Sequence, residues 1–276
     1  MASPLISATE LAARMNDPGL RIVDGSWHLD GRDAHADFEA ARIPGSVFFD
    51  LDAVSDHTSD LPHMLPTAAA FAEAVGSLGI AETDTIVVYD TVGLFSAARV
   101  WWTLQVMGAA NVFVLDGGLP TWQAENRPLE TGTVAQPAPA TFRATLAFDA
   151  VVDVPTVMAA LTGDAQVVDA RPAARFAGQT PEPRAGLRPG HMPGAVNLPM
   201  TSVLNNTGRL KRGDALAEAF QHAGVDLDRP IVTTCGSGVT AAVLSLALAE
   251  LGIDSRLYDG SWAEWGARSD SPVENG

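Results

Sequence analysis

Cysteine is nearly absent from this chain: one residue, Cys235, in 276. No intramolecular disulfide can form, and no multi-cysteine metal site can be built. The six histidines show no ligand-like spacing with one another, so no metal or other cofactor is implied. Positive charge is scarce too. Lys and Arg number 17 against 33 Asp and Glu, a formal net charge of −16. Such a surface repels polyphosphate, which excludes nucleic acid as an expected partner. No run approaches the roughly 18–20 consecutive apolar residues that span a bilayer. The stretch from Met1 to Met15 contains Glu10 and Arg14 and has no basic start, unlike a secretory signal. The expectation is a soluble, cytoplasmic protein with no membrane partner. Disorder is disfavoured, because only 18% of residues are charged and 47% are hydrophobic. The length suits two domains better than one.

What is present is a repeat. Arg21-Ile22-Val23-Asp24 is a short apolar run ending in Asp, and Val167-Val168-Asp169 has the same shape. Arg42-Ile43-Pro44-Gly45 returns as His191-Met192-Pro193-Gly194. Thr85 to Asp90 returns as Pro230 to Cys235, and Asp116-Gly117-Gly118 with Trp122 returns as Asp259-Gly260-Ser261 with Trp265. The order is kept and the offsets stay between 143 and 149. We read residues 1–125 and 148–276 as two copies of one domain. Residues 126–147, broken by Pro128, Pro137 and Pro139, form an extended linker between them.

Within each copy, short apolar runs alternate with helical patterns. Ile86–Tyr89, Ile231–Thr234 and Leu257–Asp259 fit buried strands; Ala97–Val106 and Val239–Leu251 fit helices. The fold class is therefore α/β, with two tandem domains, each a mainly parallel sheet flanked by helices. Ligands of such sheets bind at the carboxyl ends of the strands. The tryptophans at 101, 102, 122, 262 and 265 read as core.

Cys235 follows one of these strands and precedes a helix, in the run Cys235-Gly236-Ser237-Gly238-Val239-Thr240-Ala241. A lone cysteine is most often a small buried hydrophobe. At a strand end, beside two glycines able to adopt positive φ, it faces a different environment. Successive loop N–H groups and the helix N-terminus would attract negative charge and favour thiolate.

This run resembles the active loop of the 3-mercaptopyruvate sulfurtransferases, tandem-domain members of the rhodanese family. The resemblance extends over both halves, the linker and the C-terminal Gly/Trp segment. It implies two rhodanese-like domains, the first catalytically silent, and Asp90 indeed stands where the repeat would put a cysteine. It implies that Cys235 takes sulfur from 3-mercaptopyruvate as a persulfide held by the loop from Gly236 through Gly238 and Val239 to Thr240. The sulfur then passes to thioredoxin, a small thiol or cyanide, and pyruvate is released. Arg175 and Arg184 match the family's binders of the carboxylate and keto groups. Ser237, His63 and Asp52 match its Ser–His–Asp set, which suits proton movement between donor thiol and departing enolate.

Thiosulfate sulfurtransferases, the nearest alternative, carry basic residues at the two positions after the cysteine. Gly236 and Ser237 stand there in this chain. A non-catalytic persulfide carrier is the alternative outside enzymes. A cysteine phosphatase or arsenate reductase is disfavoured, because the loop lacks the Arg that clamps phosphate. Arg171 reads as structural, Arg188 has no assigned role, and His191 reads as scaffold because its repeat counterpart is Arg42. A monomer is expected.

Overall fold

Short β-branched runs make the strands here, and Ala- and Leu-rich stretches make the helices between them. The computed structural model describes residues 3–276. In order, the first half has β1 (Leu5–Ile6), α1 (Ala8–Arg14), β2 (Leu20–Asp24), α2 (Ala34–Ala40) and β3 (Ser46–Phe48). It continues with α3 (Ala68–Ser77), β4 (Thr85–Tyr89), α4 (Ala97–Val106), β5 (Asn111–Leu115) and α5 (Gly118–Ala124). The second half repeats the series: β6 (Val151–Val152), α6 (Val154–Ala160), β7 (Gln166–Asp169), α7 (Ala173–Phe176) and β8 (Val196–Asn197). Then come α8 (Gly213–His222), β9 (Ile231–Thr234), α9 (Ala241–Glu250), β10 (Ser255–Tyr258) and α10 (Ser261–Trp265).

Each half builds one five-stranded sheet. The orders are β1-β5-β4-β2-β3 and β6-β10-β9-β7-β8, the same topology twice, and every pairing is parallel. Parallel strands need crossover connections, and the helices supply them. Polar caps set several helix starts. Ser7 and Glu10 form a reciprocal capping box on α1, and Asp33, Thr67 and Asp153 cap α2, α3 and α6.

The chain divides into two units. One comprises residues up to Asp56, Leu65–Ala147 and Asn206–Arg209. The other comprises His57–Met64, Phe148–Asn205 and Leu210–Gly276. Thus His57–Met64 belongs to the second unit although it lies in the first half of the sequence. The stretch 126–147 lies along the first unit: Arg42 and Glu130 form an isolated bridge, and Ala140 N–H donates to Gly76 O at 2.9 Å.

The core of the first unit gathers Leu11, Ile22, Ile43, Val87, Tyr89 and Trp122; that of the second gathers Val157, Val167, Met192, Val232, Trp262 and Trp265. All five tryptophans expected in the core are buried. Helix α9 starts two residues later than its apolar pattern, because Val239 and Thr240 complete the turn out of the cysteine loop. Among the described residues no helix is long and apolar enough to cross a membrane.

Candidate active site

Strand β9 lies between β10 and β7, and all four of its residues are buried. Its carboxyl end delivers Cys235, whose residue exposure is 2%. The backbone there is tied down on both sides. Cys235 N–H donates to Ser261 Oγ at 3.2 Å, and Cys235 O accepts Trp262 N–H at 2.9 Å. Ser261 holds φ at +48°, a left-handed conformation unusual for a residue with a Cβ, and its hydroxyl donates to Tyr258 O. Its counterpart, Gly118, has φ +55° and no hydroxyl to offer. Ser261 was visible in sequence only as part of a repeated landmark. The signal for more was the Ser standing where the repeat has Gly.

The loop then runs from Gly236 to Thr240 into α9. Gly238 has φ +81°, as expected of a nest-forming glycine. Gly236 differs from expectation, since it lies outside the left-handed region. Its value is space. A Cβ built at Gly236 would meet Arg175 Nη2 at 3.0 Å. No hydrogen-bond acceptor among the described residues takes the N–H groups of Gly236–Thr240.

The first half shows what such a loop holds where the repeat has no cysteine. Asp90, at Cys235's place in the repeat, accepts N–H donors from Val92 at 3.1 Å, Phe95 at 2.7 Å and Ala97 at 2.9 Å. The counterparts of those donors are Ser237, Thr240 and Ala242. Gly93 has φ +109° where Gly238 has +81°. The same loop is thus wrapped around a carboxyl group that accepts all three. Full burial still pushes the Asp90 carboxyl up, against the backbone hydrogen bonds it accepts.

His63 Nδ1 and Ser237 Oγ lie 3.0 Å apart, both within the second unit and both buried. His63 has φ +60°, the kind of strained backbone that functional positions hold. Asp52 lies in the first unit, where its Oδ2 accepts from Trp27 Nε1 at 3.0 Å.

The arginines separate by what they already bond. Arg171 is fully enclosed and structural, as expected. It grips Asp169 (Nη2–Oδ2, 2.7 Å), reaches Glu182 (Nη1–Oε1, 2.9 Å) and lies over the Trp262 ring at 4.2 Å. Arg188 acquires an assignment: it donates to the carbonyls of Gly266, Trp265, Arg268 and Ser271, which staples the C-terminal segment. With its donors so used, it is no ligand-binding candidate. Arg175 pairs with Glu182 and stands against the cysteine loop. Arg184 sits half-buried in the following bend. His191 stacks on Phe176 and forms an isolated bridge with Glu274, as Arg42 does with Glu130. That is the shared scaffold role. Among the described residues no group of His, Cys, Asp and Glu is arranged to hold a metal ion.

One strand end carries a titration of its own. Asp24 ends β2 as Asp169 ends β7, but Ser26 replaces Arg171 as its neighbour. Asp24 Oδ1 accepts Ser26 N–H at 2.9 Å, while Oδ2 is buried with no partner. Burial pushes this carboxyl up to about 6 from 3.8. The folded state therefore holds the proton more tightly than the unfolded chain. Asp24's contribution to stability is fully present below about 3.8 and is lost as pH rises through about 6. Asp24→Asn is expected to be more stable than wild type by ~3 kcal/mol at pH 7.5, with the gap closing near pH 4. Urea unfolding at the two pH values checks this; an equal gap at both would sink it.

Two segments, residues 7–125 and 154–268, match a family described as the rhodanese-like domain. The chain is 47% identical over 274 residues to the 3-mercaptopyruvate sulfurtransferase of Escherichia coli (strain K12), spanning 98% of this chain and 97% of that one. It is 41% identical over 254 residues to the thiosulfate sulfurtransferase of Cricetulus griseus, spanning 90% and 85%. Among solved structures, the crystal structure of SseA from Escherichia coli, described with the rhodanese fold of 3-mercaptopyruvate sulfotransferases, matches with a TM-score of 0.87 at 43% identity. That match covers 95% of this chain and 99% of SseA.

Proposed function

Because this chain belongs to the rhodanese-like domain family, in two tandem copies, we propose that it is a sulfurtransferase that draws sulfur from 3-mercaptopyruvate through Cys235. The observation that carries the reading is the loop after β9: a buried cysteine at the head of a loop whose N–H groups have no acceptor among the described residues. Such donors can hold the added charge of a persulfide.

The reaction has two halves. Cys235 thiolate attacks the donor sulfur. The new S–S bond forms as the donor's C–S bond breaks, and the electron pair leaves on the methylene carbon as pyruvate enolate. The donor thiol's proton passes by way of Ser237 and His63 to that carbon, giving pyruvate. Arg175 and Arg184 hold the donor's carboxylate and keto oxygen throughout. In the second half an acceptor thiolate, of thioredoxin or a small thiol, or cyanide, takes the outer sulfur and Cys235 leaves as thiolate. This is ping-pong covalent catalysis without a cofactor. The first domain, with Asp90 filling its own loop, is the silent copy. The enzyme acts as a cytoplasmic monomer.

The test is donor choice. Pyruvate release from 3-mercaptopyruvate with a dithiol acceptor is measured beside thiosulfate-to-cyanide transfer. The expected kcat/KM ratio favours 3-mercaptopyruvate by at least about 10², the scale set by a single bidentate charged interaction with the donor. A preference for thiosulfate would move the assignment to the donor of the Cricetulus griseus relative while leaving Cys235 in place. Activity with neither donor would favour a persulfide carrier.

A further inference from the structure

Glu182 is an unusual residue to bury in a loop. Its side chain is 1% exposed, and both oxygens are engaged. Oε1 accepts Arg171 Nη1 at 2.9 Å and Arg175 Nε at 3.4 Å; Oε2 accepts Arg175 Nη2. Arg171 is itself immobile, held by Asp169 at the end of β7, by Gly190 O at 2.9 Å and by the Trp262 ring. A rigid chain therefore runs from the sheet through Asp169, Arg171 and Glu182 to Arg175. At its far end, Arg175 spends Nε and one Nη2 hydrogen on Glu182. Its remaining Nη donors have no acceptor among the described residues. That unspent edge adjoins the nucleophile loop, with Nη2 3.0 Å and Nη1 3.8 Å from the place a Gly236 Cβ would occupy.

We propose that Glu182 is a positioning residue that holds the free edge of Arg175 over the Cys235 loop, and that Gly236 is small to admit it. The pair would select carboxylate-bearing donors. The inference rests on the sulfurtransferase reading and deepens it: donor choice lies in the space above Gly236 and in the carboxylate that fixes Arg175 there. A side chain after the cysteine would compete with Arg175 for one place.

Charge and geometry make opposite predictions, which gives the test its force. Glu182→Gln removes a negative charge beside the site, and charge alone would tighten an anionic donor. It also sets an amide N–H against a guanidinium, so Arg175 loses its fixed orientation and regains rotamer freedom. Positioning predicts a KM for 3-mercaptopyruvate raised about tenfold with kcat within about twofold. Gly236→Ala, which places a Cβ against Nη2, should give the same signature. In the double variant the two KM increases should not multiply. Gly236→Ala also keeps the idea testable if the Glu182 variant folds poorly.

A second readout does not depend on the donor. Cys235 is the single cysteine, so alkylation reports on it alone. The ratio of its rates with anionic iodoacetate and neutral iodoacetamide measures the oriented Arg175 edge. That ratio is expected to fall severalfold in both single variants. A KM unchanged or lowered, an unchanged ratio, or both alkylation rates falling in step would each overturn the proposal. If wild type releases no pyruvate, the sulfurtransferase reading fails, and the alkylation ratio still decides the role of Glu182.

Discussion

Cys235→Ser is expected to abolish sulfur transfer, lowering kcat/KM by on the order of 10⁴ or more. The reason lies in acidity and in bond type. Thiolate sulfur is a strong nucleophile that can carry a second sulfur. A serine hydroxyl in the same loop stays protonated, and no persulfide can form on oxygen. The substitution is nearly isosteric, and the ties around it are made by backbone atoms: Cys235 N–H to Ser261 Oγ and Cys235 O to Trp262 N–H. Folding should therefore survive, and the thermal midpoint should move little. Intact mass after incubation with 3-mercaptopyruvate, without acceptor, gives the direct reading. Wild type should gain one sulfur atom and release one equivalent of pyruvate; the variant should do neither. Steady pyruvate release by the variant would remove Cys235 from the mechanism. A wild type that gains sulfur only from another persulfide would point to a carrier.

Much of this was legible in the chain because the fold repeats. Strand β9 runs over Ile231–Thr234 and α4 over Ala97–Val106, where the apolar patterns put them. A buried strand between two parallel neighbours is apolar on both faces, so it declares itself in four residues. Strands β1, β6 and β8 are two residues each, too short to leave any period. Their pairing is decided by the sheet they edge. His57–Met64 could not be assigned to the second unit from sequence, since nothing local distinguishes it from the loops around it. Yet it brings His63 to Ser237. Gly236 was read for its backbone freedom and as the place of a basic residue in thiosulfate sulfurtransferases; it lies outside the left-handed region, and what the sequence could not show is that a Cβ there would meet Arg175 Nη2 at 3.0 Å. Glu182 escaped notice altogether. An acidic residue between prolines carries no sign of burial, yet its side chain is 1% exposed and paired with both Arg171 and Arg175. Side-chain networks closed across loops leave no periodic trace.

The arginines carry the second large effect. Arg175→Ala is expected to lower kcat/KM for 3-mercaptopyruvate by roughly 10²-fold, and Arg184→Ala by at least roughly tenfold. Both effects should fall mainly on KM, because the bond to the donor's carboxylate exists before and during reaction. The two variants should part company in stability. Removing Arg175 strips Glu182 of the partner on Oε2 and leaves a carboxylate with a 1% exposed side chain half-paired, which costs ~1–3 kcal/mol. Arg184 lies half-buried in a bend, and its loss leaves the Glu182 pairing intact. Arg175→Lys should restore charge without restoring rate, since an ammonium cannot bond Glu182 and a substrate carboxylate with one planar fork. Steady-state kinetics with urea unfolding on the three variants checks this. A lysine variant as active as wild type would mean that the site needs only a positive point charge. The oriented guanidinium edge above Gly236 would then be incidental to donor binding.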